Sequence, residues 1–166
     1  MLKPVPLGTV IPLSDAREYD LPEVYSLVHR VVASGILILN GRVLLLRRAP
    51  NEFPSPDTWA LPSGAMELGE IPSQTIVREF WEETGLKIGV RQRIAVEAYF
   101  YDKPESRIHI IEYIHWVELV SSDCEVRLSP EHTEYSFVRE SDLGSDRFFS
   151  LVAPRRRAIC SVLELI

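Results

Sequence analysis

Cysteine is scarce in this 166-residue chain, which has only Cys124 and Cys160. The two lie far apart, outside any CxxC pair and away from any cluster of histidines, so a zinc site is not expected. A chain of this length buries roughly two thirds of its unfolded surface, which is enough to fold without a disulfide or a structural metal. We therefore expect both thiols to be idle residues of a protein from a reducing compartment.

Long apolar runs and an excess of basic charge are also missing. No stretch reaches the ~18 apolar residues of a membrane-spanning helix, and the proline-containing start, MLKPVPLGTVIPLSD, is a poor signal peptide. These absences predict a cytoplasmic protein without a membrane partner. The 24 acidic residues outnumber the 18 basic ones, giving a net charge of −6, which argues against a long nucleic acid as partner. An acidic protein that binds a polyphosphate must recruit cations or confine its basic residues to one cleft.

The order of patterns predicts a Pro-rich N-terminal arm, residues 1–24, followed by a single domain, residues 25–166. Two apolar stretches, HRVVASGILIL and RVLLLRR, flank Asn40–Gly41 and are predicted to form a hairpin. A helix follows, then two long strands, VRQRIAVEAYFYD and RIHIIEYIHWVELV. A final amphipathic helix is expected from about Phe148 to the end. This order predicts the α/β class: a mixed, mostly antiparallel sheet between helices, which is an α/β/α sandwich.

The helix in the middle of the chain is predicted over Pro72–Thr84, with Gly85 just past its end. Its carboxylates are concentrated on one side, because Glu79, Glu82 and Glu83 fall within an arc of about 100°. The residues expected to face the core lie on the other side and are Val77, Phe80 and Trp81. The helix therefore presents an acidic stripe away from its packed face.

Two interpretations of this acidic stripe are open. Like charges so close cost a few tenths of a kcal/mol per pair, and Mg²⁺, which prefers carboxylate oxygens, would compensate them. The plainer interpretation is a solvated acidic face, with Glu82 paired to Arg78. That interpretation leaves unexplained the loop SGAMELGE before the helix, in which Gly64 and Gly69 allow the backbone to approach a ligand. An acidic helix face beside such a loop favours a metal site that includes a backbone carbonyl.

The stretch from Gly64 to Leu86, GAMELGEIPSQTIVREFWEETGL, resembles the Nudix box, G-x5-E-x7-R-E-U-x-E-E-x-G-U, where U is a bulky apolar residue. Every specified position is matched, by Gly64, Glu70, Arg78, Glu79, Phe80, Glu82, Glu83, Gly85 and Leu86. The resemblance implies a Nudix-type α/β/α sandwich. It also implies an enzyme that uses Mg²⁺, or alternatively Mn²⁺, to hydrolyse a phosphoanhydride bond in a nucleoside diphosphate linked to another moiety.

The resemblance also implies a set of metal ligands. Glu79 and Glu83 resemble the principal ligands of the family. The backbone carbonyl of Ser63 is a further ligand, at a position where most members have glycine. Glu82 is another ligand, often through water, or part of the machinery that removes a proton. All four residues are therefore candidate site residues.

Other residues are expected around these ligands. Glu70 and Arg78 resemble the pair that orients the carboxylates. The segment SPEHTEYSFV resembles a loop from which Glu131 enters the site as metal ligand or general base. His132 is expected to pack or to form a hydrogen bond. Glu67 either adds charge to a second metal or is a solvent-exposed loop residue.

The substrate is defined less closely than the reaction. Arg47 or Arg48 is expected to meet a phosphate, while the other points away because neighbours in a strand face opposite sides. Tyr101 is a candidate for stacking on a base, but Tyr101 and Pro104 favour different substrates in the family and do not decide. We expect a small (deoxy)nucleotide or nucleotide-sugar substrate, with a homodimer as one possible assembly. The alternative is a catalytically silent Nudix-like ligand-sensing domain, although such domains usually lack the metal glutamates found here.

Overall fold

The structure is a computed structural model, which describes residues 11–12, 26–52, 55–103, 106–122, 124–148, 151 and 153–166. Its strands are β1 (Ile11–Pro12), β2 (Ser26–Leu39), β3 (Arg42–Arg48), β4 (Trp59–Ala60), β5 (Ser63–Ala65), β6 (Ile88–Lys103), β7 (Ser106–Leu119) and β8 (His132–Val138). Its α-helices are α1 (Pro72–Thr84) and α2 (Ala153–Leu163), and two short 3₁₀ helices, Glu140–Asp142 and Asp146–Phe148, lie between β8 and α2. Apart from β1, the predicted arm over residues 1–24 lies outside the described residues, as does Pro104.

One mixed sheet, in the order β1-β6-β7-β2-β3-β4, forms the centre of the protein. β2 pairs in parallel with β7 from Ser26 to Leu37. The other pairings among the described strands are antiparallel, including β5 on the other edge of β2 and β8 on β3. The predicted mixed, mostly antiparallel sheet is therefore confirmed.

The predicted hairpin at Asn40–Gly41 is present. Both residues have positive φ, 52° and 69°, and a two-residue turn with positive φ at both positions matches the twist of the strands it joins. The pairing between β2 and β3 at this hairpin is short, since it covers only Ile38 and Leu39 on β2. Most of β2 instead pairs with β7, a contact between segments about 80 residues apart that local turn signals do not reveal.

The apolar run of β3 shows why the sheet is covered on both faces. Successive side chains of a strand point to opposite faces, and Val43 and Leu45 pack in one apolar cluster with Ile159 of α2. Leu44 and Leu46 pack in a second cluster with Phe80 of α1. A helix on each face makes the layers α, β and α, and this confirms the predicted α/β/α sandwich.

Helix α1 has the bounds that the sequence predicts. Gly85 follows it in the left-handed conformation, with φ 69°, and donates its N–H to the Trp81 carbonyl at 2.9 Å. The prediction that Val77 and Trp81 face the core is wrong, because they are 39% and 52% exposed. The buried stripe of α1 includes Glu83 and Thr84. Polar residues thus share the packed side of α1. A prediction from the spacing of apolar residues alone therefore assigns the wrong face of the helix to the core.

The C-terminal helix begins later than predicted. Phe148 belongs to a 3₁₀ helix, and α2 starts at Ala153. Pro154 lacks the N–H that a helix interior needs but fits the first turn, where that N–H has no partner within the helix. Among the described residues, no helix is both long and apolar enough to cross a membrane.

Candidate active site

Strand β5 brings the loop before α1 against the C-terminal half of that helix. Ser63 lies opposite Ser34 of β2. The neighbouring hydrogen bonds run from Gly35 N–H to Pro62 O at 3.0 Å and from Met66 N–H to Val31 O at 2.9 Å. Because hydrogen-bonded and non-hydrogen-bonded pairs alternate along antiparallel strands, Ser34 and Ser63 form a non-hydrogen-bonded pair. The N–H and carbonyl of Ser63 therefore both point away from β2. The N–H donates to Glu83 Oε2 at 2.9 Å, so the carbonyl emerges at the edge where that carboxylate lies.

The glycine that opens the box touches a carboxylate. A Cβ placed on Gly64 would lie 1.8 Å from the carboxyl carbon of Glu79 and 1.9 Å from its Oε1. No residue with a side chain fits there unless the carboxylate moves. The Gly64 backbone thus forms a cradle against which the Glu79 carboxylate rests.

Arg78 holds three carboxylates together from the other side. Its guanidinium donates to Glu70 Oε1 (2.7 Å), Glu70 Oε2 (3.0 Å), Glu79 Oε1 (2.8 Å), Glu82 Oε2 (3.0 Å) and the carbonyl of Ala65 (3.1 Å). Glu70 also accepts from the Thr75 hydroxyl at 2.9 Å and the Glu67 N–H at 3.0 Å. The Arg78 hydrogen bonds, with these others, lower the pKa of Glu70 to about 2. Glu70 and Arg78 therefore form a fixed pair that ties the loop to the helix.

Glu83 is the most enclosed carboxylate of this region, with a side chain that is only 4% exposed. Burial raises its pKa well above the ordinary value; the Ser63 N–H opposes this rise, the charges of Glu79 and Glu131 add to it, and Arg48 opposes it. Burial likewise raises the pKa of Glu79, against the pull of Arg78 and with the help of two neighbouring glutamates. The charge of Glu131 therefore acts on both Glu79 and Glu83, although Glu131 lies far from them in the sequence.

The segment that carries Glu131 is bound to the end of α1. The Arg127 N–H donates to the Thr84 carbonyl at 2.8 Å, and the Ser129 N–H donates to the Glu83 carbonyl at 3.1 Å. The Glu131 carbonyl accepts from the Ala49 N–H at 2.8 Å, which fixes the segment to β3 as well. These backbone bonds bring Glu131, an exposed residue, to the carboxylates of α1.

His132 was expected only to pack or to form a hydrogen bond, and the structure places it beside Glu83. Its side chain is 2% exposed, and Nε2 lies 3.6 Å from Glu83 Oε1. Burial, with the charge of Arg48, lowers the pKa of His132 to about 4. Its position next to Glu131, at the start of a strand, is the signal that could have indicated a place inside the site.

The two arginines that end β3 have different surroundings. Arg47 pairs with Glu134 at 2.6 Å and with Asp57 at 3.6 Å. Arg48 pairs with Glu52 at 3.6 Å, and its charge acts on Glu83. Of the two arginines, Arg48 is therefore the one whose charge acts on a carboxylate of α1. The side chain of Tyr101 lies outside the described residues.

The donor set suits a hard cation, although the ligands are not already assembled. In the parts of the chain that the structure describes, no three His, Cys, Asp or Glu side chains form a ready metal-binding group. Arg78 holds one oxygen each of Glu79 and Glu82. The candidate ligands are carboxylate and carbonyl oxygens, which Mg²⁺ and Mn²⁺ prefer to soft ligands. A cation could bind here if the glutamates turned from Arg78 toward it.

A family model described as the NUDIX domain matches residues 29–160. The chain belongs to the Nudix family. An RNA pyrophosphohydrolase of Sphingopyxis alaskensis is 30% identical over 142 residues, which cover 76% of this chain and 85% of the relative. An ADP-ribose pyrophosphatase of Methanocaldococcus jannaschii is 29% identical over 122 residues, 72% of this chain and 69% of the relative. A MutT-like protein of Streptomyces ambofaciens is 40% identical over 70 residues, and the match spans only 42% of its length.

Solved structures with the same fold include a MutT protein from Methanosarcina mazei Go1, with a TM-score of 0.63 and 26% identity over 83% of this chain and 94% of that one. A UDP-X diphosphatase, at 19% identity, matches in fold with a TM-score of 0.65 over 90% of this chain and 74% of that one. These matches confirm the predicted family and fold. With the family and the enzymes named above, they also confirm the prediction of a hydrolase that acts on acid anhydrides of phosphorus.

Proposed function

We propose that this Nudix hydrolase is a Mg²⁺-dependent pyrophosphohydrolase, with Mn²⁺ as a substitute, that cleaves a nucleoside diphosphate linked to another moiety. The observation that carries the proposal is that the Glu79 carboxylate rests against the Gly64 backbone, while the charge of Glu131 acts on both Glu79 and Glu83. Burial and neighbouring glutamates raise the pKa of Glu79 and of Glu83, so these two carboxylates are destabilising in their charged form unless a cation offsets them.

The residues that would hold the cation are the carboxylates of Glu79, Glu83 and Glu131 and the Ser63 carbonyl, with Glu82 as a further ligand. A divalent cation supplies charge that neutralises a diphosphate and makes water a better nucleophile. The pair of Arg78 and Glu70 ties the loop to the helix, so that a bound cation would require Glu79 and Glu82 to turn from Arg78 while the backbone stays in place. This arrangement stabilises charge through positioning, which is how most of the rate arises in phosphoryl transfer.

Two side chains of the protein are assigned to the substrate and to the water. Arg48, which pairs with Glu52, also acts through its charge on Glu83, and its guanidinium matches phosphate geometry. Arg47 is already engaged by Glu134 and Asp57. Glu131 is exposed, unlike Glu83, so it can reach a water molecule and accept its proton as general base. Glu82 is the other candidate for this step, because it too is exposed.

A small nucleotide derivative is the substrate class that we favour, either a (deoxy)nucleotide or a nucleotide sugar. Two relatives are named as a pyrophosphohydrolase of RNA and a pyrophosphatase of ADP-ribose, which supports a nucleotide-derived substrate. The net charge of −6 makes a long RNA chain a poor partner. A cytoplasmic location and a homodimer remain predictions from the sequence.

The test is a panel of nucleoside diphosphate derivatives incubated with Mg²⁺, with released phosphate or pyrophosphate as the readout. The variant Glu83→Gln should lower kcat by at least about 10²-fold, because a ligand charge is lost. Glu118→Gln is the matched control, because Glu118 is an exposed residue of β7 that pairs with Arg91. Turnover that persists in excess chelator would refute the metal requirement. A wild type that binds nucleotides without cleaving any would favour the ligand-sensing alternative.

A further inference from the structure

The two oxygens of Glu83 face different partners. Oε2 accepts the Ser63 backbone N–H at 2.9 Å, while Oε1 faces His132 Nε2 at 3.6 Å. Both side chains are almost fully enclosed, at 4% and 2% exposure. The carboxylate is thus fixed on one side by the backbone of β5 and faces an imidazole of β8 on the other.

The orientation of the imidazole follows from its surroundings. His132 Nδ1 is buried and has no hydrogen-bond partner in the described part of the protein. A buried N–H without a partner costs more than a buried lone pair, and a lone pair on Nε2 would repel the nearby carboxylate. The proton therefore belongs on Nε2, where it points toward Glu83 Oε1.

The backbone holds this pair together. The Ser129 N–H donates to the Glu83 carbonyl, and the His132 N–H donates to the Ser129 carbonyl, each at 3.1 Å. Ser129 thus connects the backbone of Glu83 to the backbone of His132. His132 also lies opposite Arg48 in the pairing of β3 with β8, so it cannot shift without a change in that ladder.

We propose that His132 is a positioning residue: its Nε2–H, on a nitrogen 3.6 Å from Glu83 Oε1, attracts that oxygen, so that the carboxylate presents its remaining lone pairs to a divalent cation. This inference rests on the proposed function, because it concerns the orientation of a ligand of the same cation. His132 itself neither binds the cation nor exchanges a proton in the reaction. Partners that orient a ligand in this way typically change metal affinity by 10- to 100-fold when they are removed.

The test compares two amides that differ in where they place an N–H. In His132→Gln the amide reaches the position of Nε2, whereas in His132→Asn it reaches only that of Nδ1. Mn²⁺ affinity, measured by electron paramagnetic resonance without substrate, is the readout. We expect the Gln variant to stay within about threefold of wild type and the Asn variant to lose about tenfold. The comparison does not depend on a large apolar replacement that could fail to fold.

Two further variants separate positioning from packing. His115→Gln removes another buried imidazole, on β7, and should leave Mn²⁺ affinity unchanged even if it lowers the melting temperature. In a Glu83→Gln background, His132→Asn should lower the Mn²⁺ affinity no further, because the carboxylate that His132 positions is absent.

The outcomes distinguish the two proposals. A wild type that binds no Mn²⁺ would overturn the proposed function and this inference with it. A wild type that binds Mn²⁺ while the Asn and Gln variants bind it equally would overturn the role of His132 alone. An equal loss in the His115 variant would also overturn that role, because it would indicate a general packing effect.

Discussion

Replacing Gly64 by alanine should separate activity from stability. A Cβ there would lie 1.9 Å from Glu79 Oε1, whereas ordinary contacts begin near 3.4 Å, so the carboxylate must retreat by about 1.5 Å, the difference between the two distances. The carboxylate is the far end of a flexible side chain, so the fold can accept this movement. The main loss to stability is the bond from Arg78 to Glu79, on the order of 1 kcal/mol.

The expected loss of activity is much larger than that of stability. A misplacement of about 1 Å in a catalytic arrangement can cost about 10²-fold in rate, so kcat/KM of Gly64→Ala should fall by at least that factor. Urea denaturation should show a free energy of unfolding within about 1 kcal/mol of wild type. Gly144→Ala is the matched control, because its Cβ would meet nothing within 4 Å. Wild-type turnover by Gly64→Ala would refute the role of the Gly64 backbone in placing the Glu79 carboxylate. A loss of activity explained entirely by unfolding would refute it as well.

Four other variants test the structure around the site. Gly35→Ala places a Cβ 2.6 Å from the Phe80 ring and should cost about 1–3 kcal/mol in urea denaturation, because this core contact has little room. The pKa of Glu70 is lowered from 4.5 to about 2, so its contribution to stability is present above pH 4.5 and is lost as the pH falls toward 2. Glu70→Gln should therefore be less stable than wild type at pH 6, and the gap should close toward pH 2; a constant gap would contradict this. Arg48→Met should raise KM about tenfold and Arg47→Met much less, and steady-state kinetics with equal effects would contradict the assignment of Arg48.

The fold was predictable wherever a local signal determines the backbone. Pro72 and Gly85 set both ends of α1, and Asn40–Gly41 set the hairpin, because each of these residues has a conformational preference that neighbours do not override. The two-sided burial of β3 could also be read from its unbroken apolar run. These features depend on a few adjacent residues.

The features that sequence reasoning missed depend on contacts between distant segments. The long parallel pairing of β2 with β7 joins stretches about 80 residues apart, and no turn signal marks it. The burial of Glu83 on the packed side of α1 turns Val77 and Trp81 outward. Periodicity assigns faces by polarity alone, so it errs wherever a functional carboxylate is buried.

In the site, the sequence predicts which residues are present, whereas contacts with distant segments determine how exposed each one is. The motif specifies glutamate at three places on α1, yet the side chains of Glu82, Glu79 and Glu83 are 55%, 15% and 4% exposed. β5 causes most of this difference, because its backbone cradles the Glu79 carboxylate and donates a hydrogen bond to Glu83.

Different exposure gives chemically different roles to identical side chains. A buried carboxylate with a fixed partner keeps its orientation and suits a permanent ligand, since it has little freedom to lose. A mostly exposed one can exchange between Arg78, water and a cation at low cost. Glu83 is therefore the anchor of the proposed cation site and Glu82 its adaptable member, an order that follows from the packing of β5 against α1.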